Sequence, residues 1–260
     1  ARVEQSRIDV TTVRPSGAVA PPAQLRNTDV LPSLALTLRV TPDQNLRLSA
    51  MQTLSRPEYR ELAPIQYRDL VFGLNVQGNP GLRRALIQNV DARWEWYPSP
   101  AEVVSIALFA KHFQDPIERI IVGTTGANTI SFVNATGANN YGVELEARKQ
   151  LGALTLFANT TLMRSRITPG NDSVASLSSK NRPMVGQAEY VLNGGLGYNG
   201  NSGFSATLLY NVVGPRITEA GTLPLPDAYE LERHLLDLAL RVPFTRHLTA
   251  KLDGKNLLDS

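Results

Sequence analysis

Cysteine is absent from these 260 residues. That excludes disulfide staples, thiolate catalysis and cysteine-ligated metals. Histidine is nearly as scarce: His112, His234 and His247 are all there are. No two of them have the spacing of a metal-binding pair, so no metal site and no bound cofactor is expected. No apolar run reaches the roughly 18 residues that a membrane-crossing helix needs. That leaves crossing by strands open, because a barrel strand needs only about 10 residues of alternating polarity. Charge of one sign is not in excess either. The 26 Lys and Arg are scattered among 23 Asp and Glu, for a net charge of +3, and no basic stripe marks a nucleic-acid partner. No stretch combines a 3.6-residue period with caps, so no helix is expected. No signal peptide opens the chain at Ala1. Both ends read as cuts in a longer polypeptide.

Alternation with a period of two is what the chain does have. In Ser33–Val40, Leu34, Leu36, Leu38 and Val40 oppose Ala35, Thr37 and Arg39. Asn45–Leu54, Leu86–Tyr97, Val103–Phe113, Tyr141–Ala147, Leu154–Met163, Tyr190–Tyr198, Phe204–Val212, Leu236–Val242 and Leu248–Lys255 alternate likewise. With Arg2–Val13 and a ragged piece around Ile117–Val133, roughly a dozen strands are expected. The connections sort by length. Thr41–Asn45, Pro98–Glu102, Gln150–Ala153, Asn199–Gly203 and Pro243–His247 are tight turns. The connections between them, Arg14–Asp29, Ser55–Gly81, Gln114–Asn140, Ser165–Gly186 and Val213–Glu232, are long and polar. Strict alternation of short and long connections gathers every tight turn at one rim, as in an up-and-down barrel. A Greek-key sandwich has no reason to sort its loops this way.

One face of most strands is free of charge. The other carries Asp91, Arg93, Glu95, Glu144, Glu146, Lys251 and Asp253, among others. In a soluble sandwich such faces would simply be inside and outside. The aromatics favour a membrane: Trp94, Trp96, Tyr97, Tyr198, Phe204 and Phe244 cluster beside the short turns, where an interface girdle would place them. The expected sidedness puts Leu34, Leu36, Leu38, Val90, Ala92, Trp94, Ile106, Leu108, Leu208 and Leu238 toward lipid. The seven charged residues named above then face the lumen.

Several segments, in order, resemble TonB-dependent outer-membrane receptors. They are Leu54-Ser-Arg-Pro-Glu-Tyr-Arg-Glu-Leu-Ala-Pro, Gly78-Asn-Pro-Gly-Leu, Asn89-Val-Asp-Ala-Arg-Trp-Glu-Trp-Tyr-Pro, Phe109-Ala-Lys and Asp115-Pro-Ile-Glu. The series continues with the run from Asn134 to Leu151, Leu156 to Ile167, Arg182-Pro-Met-Val-Gly-Gln, Tyr210-Asn-Val-Val-Gly-Pro-Arg-Ile and Asn256-Leu-Leu-Asp. The resemblance spans nearly all of residues 30–260. It implies an all-β, antiparallel transmembrane barrel in the outer membrane of a Gram-negative bacterium. It also implies a plug domain, TonB acting through that plug, and an extracellular small ligand such as a siderophore, a cobalamin or a saccharide. On this expectation residues 1–260 are the C-terminal part of the barrel, with the plug and a closing strand absent. They form an open half-barrel with Arg2–Val13 and Leu248–Lys255 as free edges. A plug-less porin or adhesion barrel is the alternative.

For chemistry the sequence offers little. A carboxylate pair such as Glu144 with Glu146 is better read as charges pairing with Arg93, Arg148 or Lys111 across strands. Gly194-Gly-Leu-Gly lies within a strand pattern, where a nucleotide loop would need a helix to follow. A hydrolase would need Ser, His and an acid converging, against three scattered histidines. The loop Ser55–Gly81 is the candidate ligand contact, through Arg56, Tyr59, Arg60, Tyr67 and Arg68, which suit an anionic or aromatic ligand. The competing reading is that Arg56 to Glu61 fixes this loop to the rim through Arg–Glu pairs.

Overall fold

The computed structural model describes residues 1–258 apart from 14–16, 18, 20–21, 69–73, 125–126 and 171–175. In chain order its elements are β1 (Arg2–Val10), β2 (Ala23–Leu31), β3 (Ser33–Thr41), β4 (Gln44–Ser55), α1 (Tyr59–Leu62), β5 (Gln66–Arg68), β6 (Asn75–Gln77), β7 (Ala85–Trp96), β8 (Val103–Gln114), β9 (Ile117–Thr124) and β10 (Ala127–Asn134). They continue as β11 (Gly137–Leu151), β12 (Leu154–Thr168), β13 (Tyr190–Asn199), β14 (Ser205–Val213), β15 (Arg216–Gly221), β16 (Ala228–Glu230), β17 (Arg233–Pro243) and β18 (Thr249–Gly254).

The wall of the molecule is one ten-stranded antiparallel meander in the order β3-β4-β7-β8-β11-β12-β13-β14-β17-β18. The tight turns lie together on one rim. Gln44 stands opposite Trp96, Trp96 opposite Val104, and Val103 opposite Arg148. Leu154 stands opposite Tyr198, Asn199 opposite Ser205, and Ser205 opposite Arg241. The β11–β12 turn is only Gly152-Ala153, with Gly152 at φ +62°, the sign a two-residue hairpin asks for. Among the described residues no ladder joins β3 to β18, so the barrel is open.

Residues directly opposite each other in an antiparallel ladder share a face, so register traces each face across the sheet. One row reads Leu36, Leu48, Ala92, Leu108, Val143, Leu162, Tyr190. The neighbouring row on the opposite face reads Thr37, Arg47, Arg93, Ala107, Glu144, Thr161. The first row is apolar and solvent-facing: Leu34 and Leu108, on the same face, are 72% and 59% exposed.

Three expectations need correction. The segment Arg2–Val13 does not edge the wall. Its strand, β1, pairs only with β2, in a separate two-stranded ribbon. Pro32, which has no N–H to give a ladder, interrupts the line between β2 and β3, and its carbonyl accepts from Gln52 N–H at 3.0 Å. The free edges of the wall are therefore β3 and β18, and the wall has ten strands where about twelve were expected. The ragged Ile117–Val133 is a hairpin, β9–β10, outside the wall. Asp115 (φ +53°) and Pro116 end β8 and redirect the chain into it. Finally, a four-residue helix exists, α1. It is too short for periodicity to reveal and is held by a capping box between Glu58 and Glu61.

The long connections are not bare loops. At the rim opposite the tight turns they build a six-stranded mixed sheet, β5-β6-β10-β9-β15-β16, with β6–β10 and β9–β15 parallel. Connections of this length without internal structure are uncommon. These carry enough apolar side chains for a core of their own. Ile130 is fully buried among Leu62, Val76, Leu82 and Phe132, and Ile8 and Val10 of the β1 strand pack on that cluster.

Candidate functional site

The wall's polar face is a connected network. Arg47 donates to Glu95 at 2.8 Å, Arg93 to Glu95 at 3.0 Å, and Arg93 to Glu146 at 2.6 Å. The Glu95–Ser105–Glu146 row runs on through Asn159, Asn193 and Asn211. There Asn193 donates to Asn159 at 2.7 Å and Asn211 to Asn193 at 2.6 Å. Asp91 accepts from Ser49, and Glu144 stands opposite Ala107 and Thr161. At the far edge Lys251 faces Arg241 and Asp253 faces Ala239. All seven charges picked from the sequence thus share one side of the sheet. Within Gly194-Gly-Leu-Gly, Gly195 serves this face by making room. A Cβ on Gly195 would lie 2.1 Å from the Phe157 ring, and that ring in turn carries the Arg148 guanidinium 5.9 Å above its centroid.

The residues proposed for a girdle divide. Trp94 and Trp96 stand on the apolar face and donate to Gln44 (3.2 Å) and to Asp43 (2.9 Å) of the first turn. The Thr41 hydroxyl and then the Trp96 indole hold the Asp43 carboxyl below its usual pKa. Tyr198 and Phe204 touch, with ring centroids 5.9 Å apart, and Phe244 is exposed in the last turn. Tyr97 goes the other way, its hydroxyl beside the Glu95 carboxyl on the polar face.

At the opposite rim, α1 and β5 place the loop candidates. Arg56 is engaged by Glu4 of β1 in an ion pair. Tyr59, Arg60 and Tyr67 line a groove of about 590 Å³ with Thr12, Val13 and Ile65. Arg68 is exposed on β5 beyond it. The groove floor is fixed from below. Gly78 presses against the end of α1 so closely that a Cβ there would meet the Ala63 carbonyl at 2.2 Å. The next residue, Asn79, donates its N–H to the Glu61 carbonyl at 2.6 Å and its amide to the Phe132 carbonyl at 2.9 Å. Burial pushes the Glu61 carboxyl above the usual carboxylate range, while the Glu58 N–H it accepts at 2.9 Å acts the other way.

Sequence reasoning missed the charge pairs that lock this layer. Arg182 donates two bonds to Glu118, at 3.0 and 2.8 Å, with both side chains buried. Arg84 donates to the buried Asp29 at 2.6 Å. Both members of the first pair sit in segments quoted above, but 64 residues separate them and no periodicity links them. Among the described residues no group of three metal-binding side chains converges. His112 is bonded to Asn139, and His234 bridges Tyr210 and Glu232.

The family model described as "TonB dependent receptor-like, beta-barrel" matches residues 1–257. No curated protein sequence matches the chain. Among solved structures, the ferric-catecholate import receptor Fiu of E. coli K12 superposes with a TM-score of 0.67 at 12% identity, over 99% of this chain and 37% of that one. The siderophore receptor PirA of Pseudomonas aeruginosa gives 0.63 at 16%, over 92% and 41%. A mutant of the ferric enterobactin receptor PfeA from the same species, in complex with enterobactin, gives 0.62 at 16%, over 92% and 36%. The chain therefore spans well under half the length of these receptors.

Proposed function

Because the chain belongs to the TonB-dependent receptor β-barrel family, we propose that it forms part of an outer-membrane receptor of a Gram-negative bacterium, one that imports a scarce ligand with energy delivered by TonB. On this reading residues 1–260 are the C-terminal part of the barrel domain. The remaining wall strands and an N-terminal plug belong to the rest of the polypeptide, and the ligand is bound and passed through without covalent chemistry. The observation that carries it is sidedness. The apolar face of all ten strands meets lipid. The Arg47–Glu95–Arg93–Glu146 face lines the lumen where a plug would sit. The structured layer of long connections stands outside the cell, and the tight turns stand in the periplasm.

The ligand meets Tyr59, Arg60 and Tyr67 in the outer groove. Two aromatic rings and a guanidinium suit an anionic, ring-bearing molecule, and the ferric-catecholate and enterobactin receptors above make a siderophore the ligand class of this proposal. The test is accumulation of radiolabelled ferric enterobactin, cobalamin and maltodextrin by cells producing the full-length protein, with and without TonB. TonB-dependent uptake of the siderophore, cut at least tenfold by Tyr59→Ala/Arg60→Ala/Tyr67→Ala, is the expected outcome. TonB-independent leakage of all small solutes would instead favour a porin-like barrel.

A further inference from the structure

The apolar face of the wall carries only three Lys or Arg side chains along its ten strands, and no Asp or Glu. Register places Lys149, Arg164 and Arg166 there. Lys149 lies near the tight turns and is paired with Glu102 at 2.8 Å. Arg164 and Arg166 lie at the other end, both exposed, and among the described residues neither has a hydrogen-bond or ion-pair partner. Their height on the sheet matters. Arg164 continues the row Leu34, Ala50, Val90, Ala110, Tyr141, in which apolar residues still predominate. Arg166 continues the next row, Gln52, Gln88, His112, Asn139, which is polar throughout. The two arginines therefore straddle the boundary where the apolar belt gives way to the layer of long connections. On one strand face they stand about 7 Å apart.

Directly below them the face carries a shallow, open depression. A groove of about 630 Å³ is lined by Leu108, Tyr141, Val143, Leu162 and Tyr190, with Arg164 at its upper end. It opens on the apolar side, because on the other side the Phe109 ring covers Gly142, where a Cβ would lie 2.7 Å from that ring. Glu189, just ahead of β13, also borders the groove, and Glu232 is taken up by the Tyr190 hydroxyl and His234. An open apolar hollow bordered by Arg164, with Arg166 one row above it, is complementary to an acyl chain ending in an anionic head.

We propose that this patch binds a phosphorylated, acylated lipid of the outer leaflet. Its phosphate sits on Arg164 and Arg166, and one acyl chain lies along Leu108, Tyr141, Val143 and Leu162. Arginine suits this role because its planar fork pairs with phosphate oxygens bidentately, while its stem lies along apolar surface. The proposal rests on the reading of this face as lipid-facing.

The test uses the full-length protein in nanodiscs of phosphatidylcholine containing diphosphoryl lipid A, followed by detergent exchange and native mass spectrometry. Incorporation into the disc is read first, and failure to incorporate would overturn the membrane reading and this site with it. Given incorporation, retained lipid A on the wild type, at least fivefold less on Arg164→Gln/Arg166→Gln, and near-wild-type retention on Arg164→Lys/Arg166→Lys is the expected result. Equal retention by the Gln variant, equal retention of dephosphorylated lipid A, or complete displacement by millimolar inorganic phosphate would each overturn the site while leaving the membrane reading intact.

Discussion

The ten-stranded wall and the layer of long connections treat apolar residues in opposite ways. In the wall, Leu34, Leu36, Val90, Leu108 and Leu162 are exposed on one continuous face, and the opposite face is bound together by charges and amides. In the connection layer, Ile130, Leu62, Val76 and Phe132 are buried, Glu118 with Arg182 is a buried pair, and the buried Asp29 is paired with the half-buried Arg84. The layer has an ordinary water-soluble core. The wall leaves its apolar face uncovered, which suits apolar surroundings. On the proposed reading one chain folds against two solvents, and the boundary falls at the row of Gln52, Gln88, His112 and Asn139.

Substitutions should separate the two regions. The largest effect is expected from Arg182→Met, which strands Glu118 as an uncompensated buried charge. It should destabilise the connection layer by about 3–5 kcal/mol, seen as faster hydrogen exchange in β9 and β15 with the wall amides unchanged. Exchange rising equally in the wall would mean that the two regions are one cooperative unit. Ile130→Ala should cost the same layer about 2–5 kcal/mol through a cavity, again without changing wall protection. In the wall the sign of the chemistry reverses. Leu108→Arg should cost about 2–4 kcal/mol on insertion into lipid if it lies near the midplane, measured by folding the full-length protein into phospholipid vesicles. A negligible cost there would contradict a lipid-facing β8. The smallest effect is at the tight-turn rim. The hydrogen bond from Lys149 holds the Glu102 carboxyl below its usual pKa of 4.5. Its contribution is therefore intact above pH 4.5 and fades as the pH falls through the lowered value. Glu102→Gln should slightly flatten the acid limb of the stability profile, and an unchanged limb would remove this pair from the account.

The wall was legible in the sequence because its rules are local. A period of two and the parity of loop lengths sufficed for the strand faces, the turn rim and the antiparallel order. The connection layer was not, because its structure is made by pairings between residues far apart in the chain. Nothing local announces that Thr129 runs parallel to Asn75, or that Ala220 runs parallel to Ile120. The β1 ribbon was misplaced for a related reason. Alternation shows that a segment is a strand but not which neighbour it joins. Tyr59, Arg60 and Tyr67 were singled out by residue type, but that they line one groove was not legible. The diversion of Arg56 to Glu4 required knowing that β1 passes beside the loop.

A nitroxide scan along Val103–Gln114 in the full-length protein, reconstituted in phospholipid bilayers, tests the division between wall and layer most directly. Collision with oxygen, which concentrates in lipid, should be high at Val104, Ile106, Leu108 and Ala110 and low at Ser105, Ala107, Phe109 and Lys111, with the alternation fading by His112. A scan with no alternation, or with a water-soluble nickel quencher reaching Ile106 and Leu108 more readily than oxygen does, would contradict the assignment of this face to lipid.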